Sequence, residues 1–145
     1  MKFRFKILGR VVAFYCFKVR KAYGVKSGSH GHYLLMDFDV SDALDKQGIM
    51  EYVWNNLQGR FPHVDKLMYE TKNGFHAIVF QRFPFKQAII EMVKTPYIDL
   101  SHVAIGINRG YWFLETKNGI PERFHTLHPD IEFMVIERGD MKENA

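Results

Sequence analysis

The spacing of apolar and polar residues divides most of this chain into short elements. Tyr33 to Val40 is largely apolar and reads as a strand. Ser41 and Asp45 are candidate N-caps for a helix whose apolar residues Ile49, Met50, Val53, Trp54 and Leu57 keep a 3.6-residue period, with Gly59 as its stop. Val64 to Glu70 reads as a second strand and Phe75 to Gln81 as a third, joined by Asn73-Gly74, a dipeptide favoured in tight hairpin turns. Pro84 suits a first helical turn, and Ala88, Ile89, Met92 and Val93 form the apolar stripe of a second helix that stops before Pro96. Tyr97 to Ile107 and Gly110 to Glu115 read as strands separated by Asn108-Arg109-Gly110, and Ile131 to Ile136 as one more. Ahead of these, Arg10 to Tyr23 mixes apolar and basic residues without strand alternation, which predicts a helix with Gly24 as its C-cap. Lys26 to Gly31 is then a loop.

The predicted order from Tyr33 onward is strand, helix, strand, strand, helix, strand. This is the α+β pattern of the RRM-like or ferredoxin-like βαββαβ core, here with an N-terminal helix and extra C-terminal strands. A single domain is expected, made of a segment 1–32, a core 33–116 and an extension 117–145. The length of 145 residues suffices for one sizeable core.

Composition narrows the class. At 47% hydrophobic and 25% charged, the chain has the balance of a soluble globule. No apolar run approaches the roughly 20 residues of a membrane span, so no membrane association is expected. No small-residue cleavage site suggests a secretory leader. The single cysteine, Cys16, excludes an internal disulfide framework and a cysteine-based zinc cluster, and a cytoplasmic setting is expected. The net charge of +4 is unevenly spread. Residues 1–33 hold eight Lys or Arg and no acid, whereas the remainder holds twelve basic and sixteen acidic residues. A basic arm on a mildly acidic body points to a polyanionic partner, nucleic acid first.

Candidate chemistry gathers on the predicted sheet. In Met36-Asp37-Phe38-Asp39-Val40, strand alternation puts Asp37 and Asp39 on one face and the apolar residues on the other. With two helices on the apolar side, both carboxylates emerge on the open face, where they repel one another unless a cation offsets them. Oxygen donors at this spacing suit Mg²⁺ or Mn²⁺. The third strand contributes His76 beside a turn that carries Lys72. Both faces of that strand are apolar apart from His76, so the residues alone leave its direction open; facing outward, it joins Lys72 in an arrangement able to hold a triphosphate. Ile98-Asp99 is expected at the entrance to a fourth strand, on the other flank of the first.

Asp37-Phe38-Asp39 after an apolar strand, Gly74-Phe75-His76 after a hairpin and Ile98-Asp99 after the next helix resemble the three motifs of the archaeo-eukaryotic primase superfamily, which includes primase-polymerases of archaeal plasmids and viruses. The resemblance spans Tyr33 to Glu115. It implies a metal-dependent nucleotidyltransferase acting on nucleoside triphosphates and a single-stranded DNA or RNA template, with an accessory replication subunit as a further partner. By the same resemblance Asp37, Asp39 and Asp99 are catalytic and hold Mg²⁺ or Mn²⁺, and His76 contacts the triphosphate. The position two residues before that histidine, commonly serine in the superfamily, is Gly74 here. Arg82 and Arg109 are further candidates for phosphate contact, and the basic N-terminal segment is expected to contact template or primer.

Other patterns have weaker chemistry. A non-catalytic RRM-like single-stranded nucleic-acid-binding protein would use exposed aromatics, for which Phe75, Phe80 and the run Arg109-Gly110-Tyr111-Trp112-Phe113 are candidates. His30-Gly31-His32 with Tyr23 has the residue types of a nicking nuclease but lies in a Ser/Gly-rich loop. His125-Thr126-Leu127-His128 offers two ligands and no matching carboxylates. Glu-Thr-Lys-Asn-Gly occurs at 70–74 and 115–119, which reads as two turns sharing Asn-Gly chemistry.

Overall fold

Strand β1 (Lys2–Ile7) pairs with β2 (Arg10–Tyr15) as an antiparallel hairpin, Lys2 opposite Tyr15 and Ile7 opposite Arg10. The computed structural model describes residues 2–7, 10–15, 17–116 and 130–141, with side chains over 23–116 and 130–134. Strand β3 (Phe17–Lys26) follows, then β4 (His32–Asp39), α1 (Lys46–Arg60), β5 (Lys66–Glu70) and β6 (Gly74–Phe83). Helices α2 (Phe85–Val93) and α3 (Leu100–Arg109) and strands β7 (Phe113–Glu115) and β8 (Glu132–Met141) complete the order. Among the described residues no helix is long and apolar enough to cross a membrane.

The chain is α+β, with two antiparallel three-stranded sheets ordered β7-β3-β8 and β4-β6-β5. The expected helix over 10–23 is instead strand at 10–15 and 17–23. Val11, Val12, Phe14, Tyr15 and Val19 are β-branched or aromatic and favour extended backbone. In addition, β3 is laddered along both edges, by β7 and β8, so its backbone bonding does not depend on clean alternation. Gly24 is a strand residue rather than a cap, and a Cβ there would run into the Phe113 ring.

The unit β4-α1-β5-β6-α2 forms as the periodicity predicts, with shifted ends. Asp45 rather than Ser41 caps α1, accepting from the Gly48 N–H at 2.9 Å. Gly59 lies inside that helix, which ends at Arg60 with Phe61 as its C-cap. In α2, Ala88 and Met92 are buried whereas Val93 is exposed. Arg60 at the end of α1 clamps α2, donating to the Glu91 carbonyl and carboxylate at 2.7 Å each.

The largest departure lies at 97–107, expected as the fourth strand. It is a turn followed by α3. Asp99 caps the helix by accepting from the Ser101 N–H at 2.9 Å, Val103 and Gly106 recur at helical spacing on the buried side, and Gly110 closes it with φ +86°. A capped start and a left-handed glycine stop outweigh the β-branched content of the segment. Among the described residues the free edge of β4 receives one backbone bond from this region, Asp99 N–H to Asp37 C=O at 2.9 Å, in place of a strand ladder.

The core runs through the β4 sheet. Leu34, Met36 and Phe38 share one face of β4, and Phe38 stacks on Phe75 with ring centroids 4.4 Å apart. Leu35, on the Asp37 face, is also fully buried, because α3 lies over that end of the strand and His102 reaches the Leu35 carbonyl. The face expected to be open is therefore partly roofed, and it is this roof that turns a flat patch into a cavity.

Candidate active site

Register fixes the first contact. Asp37 on β4 stands directly opposite His76 on β6, and His76 opposite Tyr69 on β5. These three share a face, so the His76 side chain points to the carboxylate side. Its Nε2 lies 3.2 Å from Asp37 Oδ1 and its Nδ1 2.9 Å from the Tyr69 hydroxyl. Burial and the Asp37 charge push the Tyr69 phenol up, so it stays protonated and donates to Nδ1, leaving Nε2–H to donate to Asp37. Burial raises the Asp37 carboxyl, but the hydrogen bond from His76 and the nearby His76 and His102 more than offset this, holding it below its ordinary value.

The other two carboxylates are fixed by local turns. Asp39, at the exposed end of β4, accepts through Oδ1 from the Ser41 hydroxyl at 2.9 Å and the Ser41 N–H at 3.2 Å. Asp99 is held as the α3 cap, with its backbone tied to Asp37. Asp37, Asp39, His76 and Asp99 line one cavity of about 520 Å³, together with Lys72 from the β5–β6 turn and Arg109 from the end of α3. With Glu115 of β7 and His102 of α3 also on its wall, six acidic or imidazole groups thus meet two exposed cations, with residues from β4, β6, β7, the hairpin turn and α3 all contributing.

The motif at Gly74 has a geometric reason. A Cβ there would lie 2.8 Å from the Phe38 carbonyl carbon and 3.2 Å from Asp39 Cα, with the Phe38 oxygen closer still. Here β6 passes too near β4 for a side chain at this position, which requires glycine.

His102 also lines the cavity and was not singled out by sequence. It stands one helical turn beyond Asp99, in a stretch whose apolar content suggested a strand; on a helix, the spacing Asp99 to His102 puts both on one side, which was the available signal. Its Nε2–H donates to the Leu35 carbonyl at 2.7 Å. Desolvation by burial lowers its pKa, with the Leu35 hydrogen bond acting the other way.

Several other candidates are not part of this cavity. Arg82 bonds to Asp130 and the Gly31 carbonyl, each at 2.9 Å, and lies over the Tyr33 ring. His32 is buried and bonded to Ser27 at 2.9 Å, whereas His30 is exposed, so the two do not form a ligand pair. Phe75 and Trp112 are core residues, Phe80 packs against Tyr33, and Phe113, although it lines the cavity, is only 6% exposed. The aromatics named for base stacking are therefore largely committed to the interior. His125 and His128 lie outside the described residues, as does the second Asn-Gly turn beyond Thr116.

Among the described residues no three His, Cys, Asp or Glu side chains are placed so as to hold a metal ion by themselves. The donor chemistry nonetheless fits Mg²⁺ or Mn²⁺. Mg²⁺ is ordinarily held by one or two carboxylates while waters and substrate phosphates complete its shell, and Asp37, Asp39 and Asp99 offer oxygens to a cavity that also carries cations suited to phosphate. No protein-family model matches the chain, and neither a curated protein nor a solved structure matches it.

Proposed function

We propose that the protein is a metal-dependent nucleotidyltransferase of the primase/polymerase type, joining nucleoside triphosphates on a single-stranded DNA or RNA template. The observation that carries this reading is the shared cavity of Asp37, Asp39, Asp99, His76, Lys72 and Arg109. The β4-α1-β5-β6-α2 unit supplies the βαββα portion of an RRM-like catalytic core, with α3 standing where a fourth strand was expected.

In this reading Lys72 and Arg109 attract the triphosphate, and Asp37, Asp39 and Asp99 hold the divalent cation. Divalent cations bound there would supply the charge stabilisation that attack by a 3′-hydroxyl and release of pyrophosphate require. His76, tied between Tyr69 and Asp37, fixes the orientation of the Asp37 carboxylate; with both ring nitrogens engaged, it acts on that carboxylate rather than on phosphate. The basic segment 1–32 tracks template or primer phosphates. An accessory subunit belongs to the same proposal, as does a cytoplasmic setting.

The test is Mn²⁺-dependent binding of a nucleoside triphosphate, followed by primer synthesis on single-stranded template. Asp37→Asn with Asp39→Asn should abolish both while retaining the melting transition, since the amide oxygens still accept from His76 and Ser41. Binding that persists in EDTA, or in the double variant, sinks the catalytic reading and leaves a non-catalytic binding protein.

A further inference from the structure

The cavity contains two imidazoles, and their hydrogen bonds differ in kind. His76 spends both nitrogens on the protein, on Asp37 and Tyr69. His102 spends one. Its Nε2 faces a carbonyl, which only accepts, so that nitrogen carries the proton. Nδ1 has no hydrogen-bond partner among the described residues and belongs to a side chain on the cavity wall. The tautomer is fixed by the backbone of β4 rather than by solvent.

The helix bearing this side chain is seated firmly. Gly106 lets α3 rest directly on the Trp112 indole, where a Cβ would come within 2.6 Å of Cε2, and the indole N–H donates to the Val103 carbonyl at 3.3 Å. Asp99, one turn earlier, is bonded to β4. The His102 side chain is therefore held in place on a wall that Asp37 and Asp99 also line.

We propose that His102 Nδ1 accepts a hydrogen bond from a sugar hydroxyl of the bound nucleotide, and so makes this cavity selective for hydroxyl-bearing sugars. The proposal rests on the nucleotidyltransferase reading and specifies its substrate. A neutral imidazole nitrogen without a proton cannot bind phosphate oxygens, which at neutral pH are acceptors themselves; Lys72 and Arg109 suit those. Such a nitrogen takes either a proton donor or a cation; Mg²⁺ prefers oxygen ligands, and the sugar hydroxyls are donors. Burial keeps the ring neutral at pH 7, which preserves the lone pair. Where a site is built to bond a hydroxyl, the analogue lacking it leaves a buried group unpaired and is rejected.

The experiment compares ATP with its 2′-deoxy, 3′-deoxy and 2′,3′-dideoxy forms, binding each to the full chain with Mn²⁺. The wild type should bind one deoxy form, and the dideoxy form, about tenfold more weakly than ATP. His102→Leu should bind all four alike. His102→Gln should restore the ranking, because its amide nitrogen can donate to Leu35 while its oxygen accepts. A measurement on the wild type covers failure of the leucine variant to fold: with Mg²⁺, the His102 Nδ1 nitrogen resonance should move on adding ATP and stay on adding dideoxy-ATP. Metal-dependent binding abolished by Asp37→Asn but blind to the sugar hydroxyls, or a leucine variant that discriminates like the wild type, overturns the His102 assignment alone. No binding of any triphosphate overturns the nucleotidyltransferase reading and this assignment with it.

Discussion

Gly74→Ser should damage the fold at the site. A Cβ on Gly74 would approach only backbone atoms, the Phe38 carbonyl and Asp39 Cα, so no side-chain rotation can relieve it. Unstrained carbon contacts sit at about 3.5–4.0 Å, against 2.8 Å to the Phe38 carbonyl carbon here, and β6 must retreat from β4. That retreat loosens the end of the ladder, where Asp39 faces Gly74 and Val40 N–H bonds to the Asn73 carbonyl at 3.0 Å. Each backbone bond lost there costs about 1 kcal/mol net. The Phe38–Phe75 stack one residue away contributes about 0.5–1.5 kcal/mol beyond its burial. The expected loss is about 2–4 kcal/mol, which for a chain of this size is a fall in melting temperature of roughly 4–16 °C. Gly59→Ala is the control: it lies within α1 with nothing within 4 Å of a new Cβ, and should gain about 0.5–1 kcal/mol. Urea denaturation of both variants measures this. A serine variant as stable as the wild type would refute the close approach of β6 to β4.

Three further outcomes follow from the packing and the charges. Gly106→Ala should lift α3 off Trp112, costing about 1–3 kcal/mol as an overpacked core site and, on the proposed function, weakening nucleotide binding through Asp99, His102 and Arg109; unchanged stability would refute the close seating of α3 on Trp112. Burial lowers the His32 and His102 pKa values from 6.5, with Lys26 and Arg82 adding to the effect on His32. The unfolded chain then binds protons more readily, so stability is full above about pH 6.5 and falls as pH drops below it; His32→Asn, which retains an acceptor for Ser27, should flatten part of that slope in denaturation midpoints from pH 7 to 5. Arg60→Leu should cost about 2–3 kcal/mol at pH 7 by taking from Glu91 its main partner and leaving it Gln87 and Lys94. Burial raises the Glu91 carboxyl, but hydrogen bonds from Arg60 and Gln87 prevail and hold it below 4.5. The pair therefore stabilises above that pH, and the deficit of the variant should shrink as pH falls below it; a deficit constant with pH would assign the loss to packing.

Local patterns determined the middle of this protein. The 3.6-residue period of α1, the Asn73-Gly74 turn, Pro84 ahead of α2 and the alternation of Asp37 with Phe38 are short-range facts, and each depends on residues close in sequence. They were sufficient to put Asp37 and Asp39 on one face of β4. Long-range pairing decided the rest. The strands over 10–26 are held by β1, β7 and β8, partners that no local window contains. Residues 100–109 satisfy both helix and strand preferences, and the cap at Asp99, the glycine at 110 and the fit of Gly106 on Trp112 chose the helix. The direction of His76 was open until register set it opposite Asp37. His102 joined the site because α3 crosses the same face, bringing a side chain 67 positions away in sequence to the Leu35 carbonyl. Sequence spacing fixes which residues share a face; only the packed chain fixes which faces meet, because burial and hydrogen bonding must be satisfied everywhere at once.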